Sequence, residues 1–402
     1  MIKQKLENGI TVIFEKKPSK SVAVEITFMV GSNYESANVR GISHFLEHML
    51  FEGTKKRKNS RIIANEIEKY GAEFNAYTCG DRTSFFIKII NKHFDIALEI
   101  LSDMIMNSVF DEKMIEKEKS VIFKEINMVN DDAKQYQWIL FQKNLFERHP
   151  AKNPTYGTKE TIKGLSKKTI IDYYFRHYAP NNMVVSVAGN VSNVQEKVKK
   201  YFGSMRPKKP FRRKVINEPL QLRLKKFVEK RKTFNSYIVL GYKSVPRLHK
   251  DSYTLDVITA ILGKGQSGWI FDEVRNKLGL AYQVGVQNEH EKDYGFFAVF
   301  ANLDKKNIDK SKKIILQQFK RLENINNNDI EDAKNYIEGS HALNMEDTFQ
   351  VTDNLAFWET IKNAALANDY IKNIKKVKAD DVKKAAKKYL NNKYTLIVIE
   401  QG

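Results

Sequence analysis

The stretch Gly41–Gly53, GISHFLEHMLFEG, constrains this chain more than any other. At about 100° per residue, a helix here sets His44, Glu47, His48 and Phe51 in one sector roughly 100° wide. Phe45, Leu46, Met49 and Leu50 fill the opposite side. No ordinary solvated face remains, so the segment predicts a helix buried all round. Buried imidazole and carboxylate groups need partners. Two histidines four apart on one face can hold one cation, and neutral imidazole nitrogens suit zinc. Glu47 lies one turn from His44, within reach of a water on that metal.

A zinc site with an open position takes a third protein ligand. The stretch from Asp111 to Asp131 offers one. It predicts a helix with an apolar stripe of Met114, Ile115, Val121, Ile122, Ile126 and Val129. Glu118 and Glu125, two turns apart, sit near the centre of that stripe. Lys113, Glu116, Lys117, Lys119 and Lys124 point outward. Inward glutamates on an otherwise sensibly patterned helix are the kind of local inconsistency that marks a functional site. Taken alone, this pair also fits an ordinary charged helix.

At 402 residues the chain is too long for one ordinary core, so two domains are expected. NGITVIFEKK and SVAVEITFMVGS read as strands, AEFNAYTCGDRTSFFIKII as two strands joined at Cys79-Gly80-Asp81, and NMVVSVAGNV as a buried strand. A helix is expected around NSRIIANEIEKYG, capped by Asn59 or Ser60, with further helices from Phe94 to Asn107 and from Asp111 past Trp138. At MRPKKPFRRK the composition turns basic and proline-containing, which suggests a linker over 205–216. Beyond it the order of elements restarts. TFNSYIVLGYKSV, DSYTLDVITAILG and GLAYQVGVQNEHEKDYGFFAVFANL follow as strand, helix and strand pair. The expected domains are therefore 1–204 and 217–402, similar in structure.

The net charge of +20 invites a partner of opposite sign. The lysines are spread along the chain and no nucleic-acid-binding signature accompanies them, so a lysine-rich surface is the reading and no specific nucleic acid is expected. No apolar run approaches the roughly 20 residues of a membrane span. The N-terminal MIKQKLENGITVIFEKK carries no continuous apolar core of a secretory signal and is not an Arg/Ser-rich presequence. With one cysteine, Cys79, these features lead us to expect a cytoplasmic, prokaryotic protein.

H-x-x-E-H is the inverted zinc-peptidase motif, and HFLEHMLFEGT resembles the pitrilysin and mitochondrial processing peptidase family in particular. That family's third ligand is a glutamate after 76 intervening residues, the separation found between His48 and Glu125. NAYTCGDRTSFF resembles its edge strand, and YGTKETI and HYAPNNMVVSVAGNV resemble later signatures of its N-terminal domain. GKGQSGWIFDEVRNKLGLAY resembles a motif with a substrate-binding Arg–Tyr pair, here Arg275 and Tyr282, although GKGQSG departs from the usual GGGxSS.

The resemblance implies an α+β fold of two similar domains, each an antiparallel sheet covered by helices. It implies a zinc endopeptidase acting on peptides or small unfolded polypeptides. His44, His48 and Glu125 would hold one zinc per chain, with Glu47 as general base and Glu118 supporting a ligand imidazole or catalysis. Asn75 and Ala76 would lie on the strand that captures the peptide backbone. A homodimer would form composite sites, with Arg275 and Tyr282 of one subunit completing the other. A metal-containing peptide-binding or structural subunit without turnover is the alternative expectation.

Overall fold

The computed structural model describes residues 1–208, 213 and 215–402. Within the expected linker, residues 209–212 and 214 lie outside the described residues. Two compact units form. The first holds a six-stranded sheet of β1 (Ile2–Lys5), β2 (Thr11–Lys16), β3 (Ser21–Phe28), β4 (Glu73–Thr78), β5 (Thr83–Ile90) and β6 (Met183–Gly189). Its order is β1-β2-β6-β3-β5-β4. The second holds β7 (Lys225–Arg231), β8 (Ser236–Lys243), β9 (Ala281–His290), β10 (Gly295–Leu303) and β11 (Thr395–Gln401), ordered β7-β11-β8-β10-β9.

Without β1, the two sheets have one topology. The fold is α+β with two similar domains, as expected, but the sheets are mixed rather than purely antiparallel. β2 runs parallel to β6, and β7 runs parallel to β11. In each pair one strand comes from the start of the domain and its partner from the end. The long intervening chain permits the crossover that parallel pairing needs, and no local pattern in the sequence announces it.

The first α-helices along the chain are α1 (Ile42–Phe51), α2 (Ser60–Glu68), α3 (Phe94–Asn107), α4 (Glu112–Asp131) and α5 (Ala133–Leu145). Asn59 caps α2 by accepting from the Ile62 amide. The long helical pattern expected past Trp138 is broken at Asp132. That residue is extended and accepts from the Lys134 amide, so it starts α5 instead of continuing α4.

The units are not contiguous halves of the sequence. The first comprises Met1–Asn127, Pro154–Lys214 and Leu343–Ala367; the second comprises Met128–Asn153, Val215–Ala342 and Asn368–Gly402. In the second unit α5 covers β8 and β11, burying Leu140, Phe141 and Leu145 with Val239, Phe296 and Ile397. In the first unit the helix Thr348–Ile361 covers β3 and β6, where Val351 and Leu355 meet Ile13, Val184 and Ala188. The other face of that sheet packs Val24, Ile26, Phe28, Phe85 and Ile87 against Phe45, Leu46, Met49 and Leu50 of α1. β3 is therefore covered on both faces, which explains its nearly unbroken burial.

A buried ion cluster fixes the chain after α1. The Arg57 side chain is 2% exposed, donating from Nη1 to Asp103 (2.7 Å) and from Nε to Glu66 (2.9 Å), with Glu99 on Nη2. Burial pushes the Glu99 and Asp103 carboxyls up, and hydrogen bonds from Arg57, Lys56 and Thr54 more than reverse that, holding both below the ordinary carboxylate range. Arg57→Met should cost about 3–5 kcal/mol at neutral pH by stranding the acids, read as earlier unfolding of the first unit in urea. Carboxyls with depressed folded pKa values stabilise above their unfolded pKa and lose that contribution as pH falls through the folded one. The gap between wild type and variant should therefore narrow on acidification.

Candidate metal centre

α1 begins at Gly41, whose φ is +89°. A side chain there would be strained in that conformation and its Cβ would lie 2.4 Å from the Tyr156 carbonyl oxygen. Gly41 has no side chain to satisfy the first amides of the helix. Glu35 does so from six residues upstream, accepting from the amides of Gly41 (2.7 Å) and Ser43 (2.8 Å). Burial pushes the Glu35 carboxyl up to about 7, against the pull of those donors. Ser43 also shares a hydrogen bond with the Tyr173 hydroxyl (2.9 Å). The start of the helix is thus held from two directions, and its apolar side is fully packed.

The opposite side carries His44, Glu47 and His48, facing α4. Nε2 of His44 is 3.6 Å from Oε1 of Glu125, and Nε2 of His48 is 3.7 Å from Oε2. Nδ1 of His48 is 3.2 Å from Oε2 of Glu118. The two imidazole rings lie 4.7 Å apart, nearly edge to face. The four side chains that the sequence turned inward therefore converge. On α4 two other expectations are corrected. Lys119 is buried, its ammonium bonded to Glu116 (2.8 Å) and near the Lys163 carbonyl, because a long stem can bury while its head finds acceptors. Val121 is 38% exposed, on the rim of the stripe rather than within it.

The electrostatics follow from burial and neighbours. Burial, with the charge of His48, drives His44 down to about 3, so it is neutral and one ring nitrogen has a lone pair to offer a cation. Burial works against a charge on His48, but the Glu118 hydrogen bond and the Glu47 and Glu125 charges outweigh it and raise its pKa. Burial likewise raises Glu125 and Glu47. Glu118 is opposed by burial yet held low by His48 and Lys117. Glu118 lies against Nδ1 of His48, which leaves Nε2 turned towards Glu125.

Ligand atoms of His44, His48 and Glu125 all lie within 4.8 Å of one another. Their closest approaches, 3.6 and 3.7 Å, are too long for good hydrogen bonds. They are near the roughly 3.3–3.6 Å edge of a tetrahedron with bonds of 2.0–2.2 Å, as for zinc. Two imidazoles and a carboxylate are also a donor set of catalytic zinc sites. The residues present therefore fit a zinc ion.

Glu47 is not among the three donors. Its carboxylate accepts from the Thr78 hydroxyl at the end of β4. Neither Thr78 nor Glu35 was marked as functional by the sequence. The missing cap at Gly41 was the only hint of Glu35, and Thr78 is recognisable only once β4 is placed beside α1. A second chain of charges extends the site: Lys117 bridges Glu118 (3.6 Å) and Glu52 (3.0 Å).

β4 ends the sheet, pairing with β5 on one side and with no other strand among the described residues. Asn75 is exposed on it, its side chain accepting from the Ala76 amide (2.8 Å). Arg275 and Tyr282 lie in the second unit. Arg275 belongs to a π-helical turn, Asp272–Lys277, a geometry frequent at functional sites. Its guanidinium stands 5.6 Å from the Tyr282 ring centre, and Tyr282 is 77% exposed.

Residues 11–159 match the family model described as insulinase, peptidase family M16, and residues 164–337 match that of the peptidase M16 inactive domain. The second match excludes His44, Glu47, His48 and Glu125. The chain is 32% identical to an uncharacterized zinc protease, YmxG, of Bacillus subtilis over 85% of its length and 84% of the relative's. It is 29% identical to an uncharacterized zinc protease of Rickettsia felis over 98% and 96%. Among solved structures, a protease from Helicobacter pylori superposes with a TM-score of 0.94 at 25% identity, covering 99% of both chains. A peptidase M16 inactive domain from Pseudomonas fluorescens gives 0.89 at 17% identity over 100% and 98%, a likeness of fold. These matches span both halves of the sequence, and the chain belongs to peptidase family M16.

Proposed function

We propose that this protein is a zinc-dependent endopeptidase that cleaves peptides or small unfolded polypeptides, with one zinc per chain. The observation that carries the reading is the convergence of His44, His48 and Glu125 beside a carboxylate, Glu47, that takes no part in the donor set. Zinc held there would supply Lewis acidity to a peptide carbonyl and acidify water towards a pKa of about 7.

The chain's own residues do the rest. Glu47 takes the proton of the attacking water on a carboxylate oxygen and later delivers it to the leaving amine nitrogen. Burial raises its pKa, which suits a group that must accept and release a proton. The Thr78 hydrogen bond fixes its rotamer. Glu118 holds the His48 ring by its Nδ1 proton. The open edge of β4, at Asn75 and Ala76, pairs with an extended peptide backbone by strand addition. Such pairing reads backbone more than side chains. Arg275 and Tyr282 grip the peptide from the second unit of a partner copy in a homodimer. The single cysteine fits a cytoplasmic setting.

Hydrolysis of a quenched fluorescent peptide should be lost with a chelator and restored by zinc. Glu47→Gln should lower kcat by about 10²–10⁴-fold while zinc content stays at one per chain. A zinc-loaded wild type that cleaves nothing in a broad peptide library would contradict the reading. Mixing Glu47→Gln chains with Arg275→Ala chains should restore part of the activity, measured on isolated heterodimers. Heterodimers as inactive as either parent would remove the composite site.

A further inference from the structure

The face of the first sheet turned away from α1 carries a buried polar group that the chemistry above does not use. Glu25 on β3 is wholly buried, with Thr27 donating to its Oε1 at 3.1 Å. The Tyr77 hydroxyl on β4 is also 3.1 Å from that oxygen and reaches Asp353 of the Thr348–Ile361 helix as well. Burial and the charge of Asp353 push Glu25 up to about 7. Arg82, in the turn between β4 and β5, donates from Nε to the Tyr77 oxygen (3.1 Å) and from Nη2 to Asp353 (3.4 Å). Its guanidinium stands 5.4 Å from the Tyr77 ring centre and 5.3 Å from that of Phe357.

The same helix is registered along the hairpin at two more points. Asp347 takes the Lys88 ammonium of β5 (2.6 Å), and Phe349 stacks on Phe86 with ring centres 3.8 Å apart. A short terminal strand with one neighbour is weakly held by its own ladder. β4 is such a strand, and here its second support is a helix supplied by a distant part of the sequence. Side chains alternate along a strand. Tyr77 therefore anchors β4 from one face while its neighbour Thr78 holds Glu47 on the other.

We propose that Asp353, Arg82 and Tyr77 are positioning residues: through them the Thr348–Ile361 helix sets the place of β4, and with it the peptide-binding edge and the Thr78 grip on Glu47. This rests on the peptidase reading above. Peptide pairing along β4 then depends on residues that touch neither peptide nor metal.

The test uses the full-length chain with Tyr77→Phe, Asp353→Asn and the double substitution. Two readouts are taken: KM and kcat on an extended peptide substrate, and hydrogen exchange of the β4 amides. Each single change should raise KM about tenfold, the equivalent of about 1.4 kcal/mol, and speed exchange across β4, with zinc content unchanged. The double variant should be little worse than the poorer single, because both changes break one connection. Should either single variant fail to fold, Arg82→Lys, which keeps the charge but loses the Nε donor, should show the same rise. An active wild type whose variants keep KM and β4 exchange, losing only thermal stability, overturns the inference; so does an additive double variant. A wild type that cleaves no peptide sinks the peptidase reading and this inference with it, and is distinguished by its own inactivity.

Discussion

The structure turns on the meeting of α1 with α4, where polar groups are taken out of water in pairs. A buried imidazole or carboxylate is tolerated only with a partner. His48 satisfies this with Glu118, and His44 and His48 both face Glu125. The apolar side of α1 fixes the helix in the core, and Glu35 fixes its start. Once those constraints hold, the histidines cannot turn away from α4. The placing of these side chains is a consequence of packing. Glu47 is half-buried beside them, and burial, the Thr78 hydrogen bond and its charged neighbours set its proton affinity.

The sheet joins this centre to the rest of the first unit. β4 lies beside α1, holds Glu47 through Thr78 and presents an open edge. Its opposite face leans on a helix from the C-terminal half of the sequence. The first unit is therefore built from three separated stretches, and the half of the chain without His44 and His48 still contributes a helix to the sheet beside them.

Local patterns made much of this legible. The bounds of α3 and of the helix Asp251–Gly263 followed from periodicity, and the Asn59 cap from its side chain. The inward turn of Glu118 and Glu125 was readable because each interrupts an apolar stripe. What stayed hidden was long-range. Parallel pairing of β2 with β6 joins residues about 170 apart along the chain, and nothing in either strand names its partner. The exchange of α5 and the Thr348–Ile361 helix was equally silent, since an apolar face does not say which sheet it covers. Lys119 read as exposed because composition cannot show that Glu116 and a carbonyl lie within its reach.

On the proposed reading, three side chains from two helices hold a single zinc ion. This is tested most directly by crystals of the zinc-loaded protein, with anomalous scattering collected on both sides of the zinc absorption edge. One strong anomalous peak per chain is expected, about 2.0–2.2 Å from Nε2 of His44, Nε2 of His48 and a carboxylate oxygen of Glu125. A peak elsewhere on the chain, or a zinc-loaded protein with no peak between these residues, would contradict it.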